Sequence, residues 1–386
     1  MVKRVNHEIK GWILVKVLPL WFVNLMNLFG LPRFLSDFYA WDGHTLTEVI
    51  EDLQLLLAYS WGTYGTLPSR TSFAMQALIH YHYEEVASYP IGGSSEIPYR
   101  IIPVIERSGG QVFMKATVLK ILTKEGRAMG VRVGHKESSA VNIYVPIVIS
   151  DAGILNTFLD LLPEEVSKTS PLWPLIDTLK SGIGLHQRFT STAEELGLRA
   201  ENLWIFTDSS SEGLGKIFDG TTLDDVLYKS YPGFFIGCHS AKDPSWERRY
   251  PGRSTITVLT FAPYSWFAQW ENLSVKKRGD EYNSLKNAIG QQIIDQIIHL
   301  YPHLQNAIEF FSVGTPITNQ HYLNAKAGAT YGLDHGFERF SPKMVSFLRP
   351  GNRDRRIISL RTGRDVAWVG VRSAFWRSLC QRNFED

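Results

Sequence analysis

The strongest constraint on the fold is a change of hydrophobic period at Gly109-Gly110. Before it, Ile97, Ile101, Val104 and Ile105 recur at helical spacing. After it, Val112, Met114, Ala116 and Val118 alternate, and Met129, Val131 and Val133 alternate again beyond Lys124-Glu-Gly-Arg127. A period of three to four collects apolar residues on one helix face, and a period of two collects them on one side of a strand, so a helix must be followed by a β-hairpin. Residues 141–149 begin by alternating and end as the unbroken run Val145-Pro-Ile-Val-Ile149, which predicts a strand buried on both faces. Ser150-Asp151-Ala152-Gly153 closes that strand, and a small-residue loop at the end of a buried strand in an α/β sheet is a usual ligand crevice. Apolar spacing also predicts helices over 46–60 and 72–85, and a stripe of Tyr282, Leu285, Ile289, Ile293 and Ile297. The fold class expected is mixed α/β or α+β.

Directly before the first of these helices stands "YPIGGSSEI", residues 89–97. Serine at 94 or 95 suits an N-cap and Pro98 a first turn, so one reading is a turn and a capped helix. The other is that Gly92 and Gly93 let a flat or phosphorylated ligand touch backbone at a helix N-terminus, where free N–H groups favour an electron-rich atom.

With 386 residues and 44% hydrophobic content, the chain can bury a large core or two smaller ones. A net charge of +2 from 40 basic and 38 acidic residues leaves no basic footprint for nucleic acid. Cys238 and Cys380 cannot build a disulfide framework or a metal set, and His80 and His82 would point apart on a helix, so no metal is expected. Residues 11–30, "GWILVKVLPLWFVNLMNLFG", are apolar but interrupted by Lys16, Pro19, Asn24 and Asn27. They suit a membrane-surface amphipathic helix; a packed core helix and a signal or anchor segment are the alternatives.

Longer runs carry a resemblance: "YPIGGSSEI" with "IPVIERSGG", "VNIYVPIVISDAG", "SAKDPSWERRYPGRST", "KRGDEYNSLKN" and "TPITNQHYLNAKAGATYGLDH". In this order, over most of residues 45–350, they resemble the retinol saturase family, in the carotenoid and retinoid branch of the FAD-dependent amine oxidase superfamily. Carotenoid isomerases and desaturases are similar. The resemblance implies the C-terminal portion of an FAD-binding oxidoreductase, with an incomplete dinucleotide-binding domain and an antiparallel-sheet substrate domain. It implies a helical, membrane-facing segment over 1–85, part of the FAD-binding domain over 86–165, the substrate domain over 166–315, and a return to the FAD-binding domain over 316–386.

The implied activity is that of an all-trans-retinol 13,14-reductase, with FAD as cofactor and NAD(P)H as reductant, acting on retinol or a similar polyene. The implied location is peripheral, on the endoplasmic reticulum membrane. Flavin contacts carried over are Gly92, Gly93, Val118, Asp151, Ala152, Gly153, Gly363, Asp365, Gly370 and Ala374. Tyr331, His335 and Tyr322 are candidate proton donors, because they belong to a matched segment that borders the flavin in similar enzymes. The middle of the chain adds Trp173, Trp204, Phe206, Phe234, Phe235, Phe261, Trp266, Phe267 and Trp270, surfaces of the kind that line hydrophobic sites as well as cores.

Two departures stand against the family pattern. No Gly-x-Gly-x-x-Gly occurs in the chain, so the resemblance starts inside the family's sequence, as though its first third were missing. Near the C-terminus, Arg361 and Arg364 fall where an apolar residue and a glutamine are expected, Ser373 replaces a glycine, and Arg372 and Arg377 charge a helix expected to be buried. A silent fragment acting as a lipid-binding or interaction module is therefore the competing expectation.

Overall fold

The period change at Gly109-Gly110 is a structural boundary in the computed structural model, which describes residues 18–31, 59–85, 87–134, 139–170, 173, 181–183, 185–189, 197–207, 221–229, 231–341, 344 and 357–359. Helices mix with antiparallel sheets, as the two periods require. Glu96–Arg107 is a helix that ends at left-handed Gly109, and Val118–Lys124 opens the hairpin; the strand expected over 112–118 is corrected, because 111–117 is irregular, with Lys115 at positive φ, and only Val118 belongs to the ladder. The chain divides into two compact units, one of Met1–Ala87, Lys115–Gly182 and Tyr331–Asp386, the other of Ser88–Met114 and Ile183–Thr330.

In the first unit, Val118–Lys124 pairs antiparallel with Arg127–Val133 through the turn Glu125-Gly126, both at positive φ. That is the backbone of a tight hairpin turn, and it accounts for the glycine. Val141–Tyr144 adds a third antiparallel strand. The predicted single strand over 141–149 is corrected here. Pro146 has no N–H for a ladder, and the chain resumes as a separate strand, Val148–Ser150, parallel to Ile357–Ser359. Nor is it buried on both faces: Val148 and Ser150 are buried but Ile149 is 58% exposed. The core beneath gathers Ile121, Ala128, Val148, Ile154, Phe158 and Leu162.

The same unit holds the predicted helix over 72–85, observed as Phe73–Glu85, with Phe73, Ala74, Met75 and Ala77 buried. Of the predicted helix over 46–60, residues 46–58 lie outside those described, and Tyr59–Thr63 forms a 3₁₀ turn. Leu20–Leu28 is helical, inside the apolar segment 11–30; Val23 and Met26 are buried, while Trp21 and Leu28 are 67% and 78% exposed. Among the described residues no helix is long and apolar enough to cross a membrane.

The second unit is built on a five-stranded antiparallel sheet in the order Phe311–Gly314, Leu185–Phe189, Thr257–Thr260, Gly233–Gly237, Leu203–Phe206. The helix Gly279–Leu300 carries the predicted stripe, burying Tyr282, Ile289, Ile293 and Ile297 with Leu285 partly covered. A Cβ at Gly290 would stand 2.7 Å from a Val313 methyl, which shows how closely this helix lies on the edge strand. Phe234, Phe267 and Trp270 are core side chains, whereas Trp204, Phe206 and Phe235 cluster half-buried on the sheet, Trp204 and Phe235 with ring centroids 4.9 Å apart.

Candidate functional site

The glycine turn lies in the second unit. Gly92 and Gly93 both adopt left-handed backbone, at φ +93° and +87°, which explains glycine at each position. Neither amide is free. The Gly92 N–H donates to Asp243 Oδ2 at 3.0 Å, and the Gly93 N–H to the Pro90 carbonyl at 2.9 Å. Ser95 is the residue before the helix but its side chain makes no capping bond; Glu96, in the first turn, faces Arg100 at 3.3 Å instead. The expectation of a serine cap is therefore corrected, and the two glycine amides are not the free N–H groups of this helix start. What the turn does offer is surface. A Cβ on Gly93 would meet only the Tyr89 hydroxyl within 4 Å, at 3.8 Å, so the backbone there faces open space.

Asp243 was not visible as a site residue in the sequence, because it sits 151 positions from Gly92. Its carboxylate is 1% exposed and accepts from the Ser245 amide and hydroxyl at 2.9 and 2.8 Å, from Gly92, and from the Arg249 guanidinium. Burial pulls its pKa upward, but the Ser245 and Gly92 donors and the Arg249 charge outweigh this and hold it below the ordinary carboxylate range. Nearby, Tyr89 stacks on His239 with centroids 5.6 Å apart and rings 18° from parallel.

In the first unit, Ser150-Asp151-Ala152-Gly153 leaves the carboxyl end of Val148–Ser150, which is parallel to Ile357–Ser359 and is not the doubly buried strand expected. Gly153 is at φ +92° with open space where a Cβ would stand, and Asp151 is exposed. The turn that follows, Asn156–Leu161, is a π-helix, a form common at functional sites. It braces the loop: Asn156 Nδ2 donates to the Ala152 carbonyl at 2.9 Å, and the Ser150 and Thr157 hydroxyls meet at 2.6 Å. Asn156 and Thr157 are supports that sequence patterns did not reveal. Val118, at the start of the hairpin, is 37% exposed.

The candidate proton donors differ sharply in setting. Tyr322, on the second unit's helix Pro316–Leu323, is 65% exposed. Tyr331 lies on the strand Ala329–Leu333, and its side chain is outside the described residues. His335, in the first unit, is 1% exposed and stacks on Phe340; burial, reinforced by Arg339, depresses its pKa well below the ordinary histidine value, so it is held neutral. The same unit contains a polar chain that the sequence reading missed. Tyr64 donates to Gln76 at 2.7 Å, and the Gln76 amide reaches Ser60 at 3.0 Å and His80 at 2.8 Å. Burial raises the Tyr64 pKa far above the phenol range, which makes it a retained hydrogen-bond donor. Gly363, Asp365, Gly370 and Ala374 lie outside the described residues, as do Arg361, Arg364, Arg372, Ser373 and Arg377. No group of metal-ligating side chains occurs among the described residues.

No protein-family model matches the chain. Among curated proteins, it is 36% identical to the all-trans-retinol 13,14-reductase of Danio rerio and 37% identical to that of Rattus norvegicus, each match covering 98% of this chain and 63% of that protein. It is 28% identical, over 97% of its length and 62% of the other's, to a Danio rerio protein named inactive all-trans-retinol 13,14-reductase. The chain thus spans just under two thirds of the length of the curated relatives it matches. Over nearly all of its own residues, the chain is similar to the all-trans-retinol 13,14-reductases of these two species.

Proposed function

We propose that the chain is a flavin-dependent oxidoreductase acting on CH–CH groups, and that its reaction is saturation of the 13,14 double bond of all-trans-retinol. The observation that carries this is the identity of 36–37% to the reductases across 98% of the chain, against 28% to the relative named inactive. The cofactor proposed is FAD, reduced by NAD(P)H. A bound flavin supplies the hydride in such chemistry, and the protein's part is to orient the polyene and exclude water.

The residues present fit the ring end of the cofactor. The Gly92-Gly93 turn gives a flat ring close approach to backbone, with open space at Gly93 that any side chain would fill. Within the other unit, the braced loop Asp151 to Gly153 is the candidate ligand loop at the carboxyl end of a parallel strand. This sequence contains no Gly-x-Gly-x-x-Gly fingerprint of the kind that holds a pyrophosphate.

Peripheral attachment to the endoplasmic reticulum membrane belongs to the same proposal. Leu20–Leu28 packs Val23 and Met26 inward and leaves Trp21, Leu25, Leu28 and Phe29 facing out, the arrangement by which a helix lies in a lipid interface and through which an insoluble alcohol can enter. The test is purification of the full chain, reconstitution with FAD, and assay for the 13,14-dihydro product from all-trans-retinol with NAD(P)H. A folded, colourless protein that still binds retinol would favour the lipid-binding module instead.

A further inference from the structure

We propose that the face of the five-stranded sheet opposite the helix Gly279–Leu300 binds an extended, conjugated apolar molecule that ends in a carboxylate, and that Lys242 is the residue that recognises the carboxylate. Only the expectation that retinol competes for this face rests on the function proposed above.

Alternation along the strands sends Phe234, Ile236 and Val258 into the core with that helix, and Trp204, Phe206 and Phe235 to the other side. The three rings are half-buried, with Trp204 and Phe206 only 7° from parallel and the Trp204 and Phe235 centroids 4.9 Å apart. The glycines of Gly233-Phe-Phe-Ile-Gly237 make room for them. A Cβ at Gly233 would stand 2.8 Å from the Phe206 ring, and one at Gly237 would stand 3.1 Å from the Phe235 ring. Residues 202 to 206 span about 14 Å at strand spacing, which suits an extended chain better than a single ring.

A cation closes one end of this aromatic row. Lys242 Nζ lies 3.3 Å from where the Gly237 Cβ would stand, beside the Phe235 ring, and donates to Asn202 Oδ1 at 2.5 Å. Asn202 is its acceptor among the described residues, and no described carboxylate pairs with it. An ammonium carries three N–H donors, and taking its charge partly out of water without a counter-charge is costly. Partial burial accordingly pulls the Lys242 pKa below the ordinary lysine value, with Cys238 opposing it more weakly. A carboxylate brings to that point both the missing charge and further acceptors. The rings then supply stacking surface for the conjugated chain behind it. An alcohol on the same rings would give Lys242 a neutral acceptor only.

Equilibrium dialysis of radiolabelled ligands against the full chain, with no cofactor added, tests the site. All-trans-retinoic acid should bind about tenfold more tightly than all-trans-retinol, the scale by which a charged hydrogen bond exceeds a neutral one. Lys242→Met should remove that preference by weakening the acid about tenfold, at an unchanged urea unfolding midpoint, and Lys242→Arg should retain it. Trp204→Ala should weaken both retinoids alike. Palmitic acid, a carboxylate without conjugation, should bind more weakly than retinoic acid, and equal affinity would overturn the conjugated part of the ligand class. A preference for the acid that is missing in the wild type, or that survives in Lys242→Met, would overturn the assignment of Lys242. No binding of retinoic acid, or an unaltered affinity in Trp204→Ala, would overturn the site itself. Retinoic acid that binds as expected without displacing retinol would count against the proposed substrate alone.

Discussion

His335 shows at the scale of one residue how environment redirects a sequence motif. Its neighbourhood in "YGLDH" suggested a proton donor, yet the ring is buried against Phe340, near Tyr64, with Thr66 fixing its backbone N–H at 3.0 Å. A histidine with a depressed folded pKa cannot take up the proton that the unfolded chain binds near pH 6.5. Stability is therefore present above about pH 6.5 and lost as pH falls below it, by up to ~1.4 kcal/mol per pH unit. Urea unfolding midpoints should fall between about pH 7 and pH 5, and His335→Gln should flatten that fall; an identical slope in the variant would contradict the assignment. The turn residues tell the complementary story. Gly92 and Gly93 were legible because a left-handed backbone demands glycine locally. Asp243 was not, because hydrogen bonds across 151 positions leave no periodic trace.

Two helices with the same kind of apolar stripe have opposite fates. Gly279–Leu300 buries Ile293 completely, while Glu96–Arg107 leaves Ile97, Ile101 and Val104 each more than half exposed. Periodicity reports that one face of a helix is apolar; whether another element covers it is a tertiary fact. Ile293→Ala should cost about 2–5 kcal/mol, from lost burial and the cavity left in the core. Ile101→Ala should change stability by less than about 0.5 kcal/mol. Equal costs for the two, measured by urea unfolding, would mean that the stripe on Glu96–Arg107 is covered in solution. The hairpin turn and its second strand were read correctly for a local reason, since Glu-Gly specifies the turn, but the alternation over 112–118 misplaced the first strand, which begins only at Val118. The strand after the hairpin was misread because an apolar run of that length does not distinguish two buried faces from one, and Pro146 cut the ladder.

For the whole molecule, the proposed substrate and the proposed location both call for a lipid surface. Replacing Trp21, Leu28 and Phe29 with glutamate places charge on the exposed side of Leu20–Leu28 without touching buried Val23 or Met26. The variant should lose flotation with phospholipid vesicles while keeping its unfolding midpoint; undiminished flotation would place the membrane contact elsewhere. The mixed fold and the resemblance were legible because motifs are local strings in a fixed order, whereas the division into units, which gathers Ser88–Met114 with Ile183–Thr330, depends on pairings between distant segments. The most direct measurement is a turnover assay on the purified, FAD-reconstituted chain with NAD(P)H and all-trans-retinol, resolving products by chromatography. The account predicts a flavin-coloured protein that forms 13,14-dihydroretinol; a folded chain that takes up no flavin and leaves the retinol unchanged would contradict it.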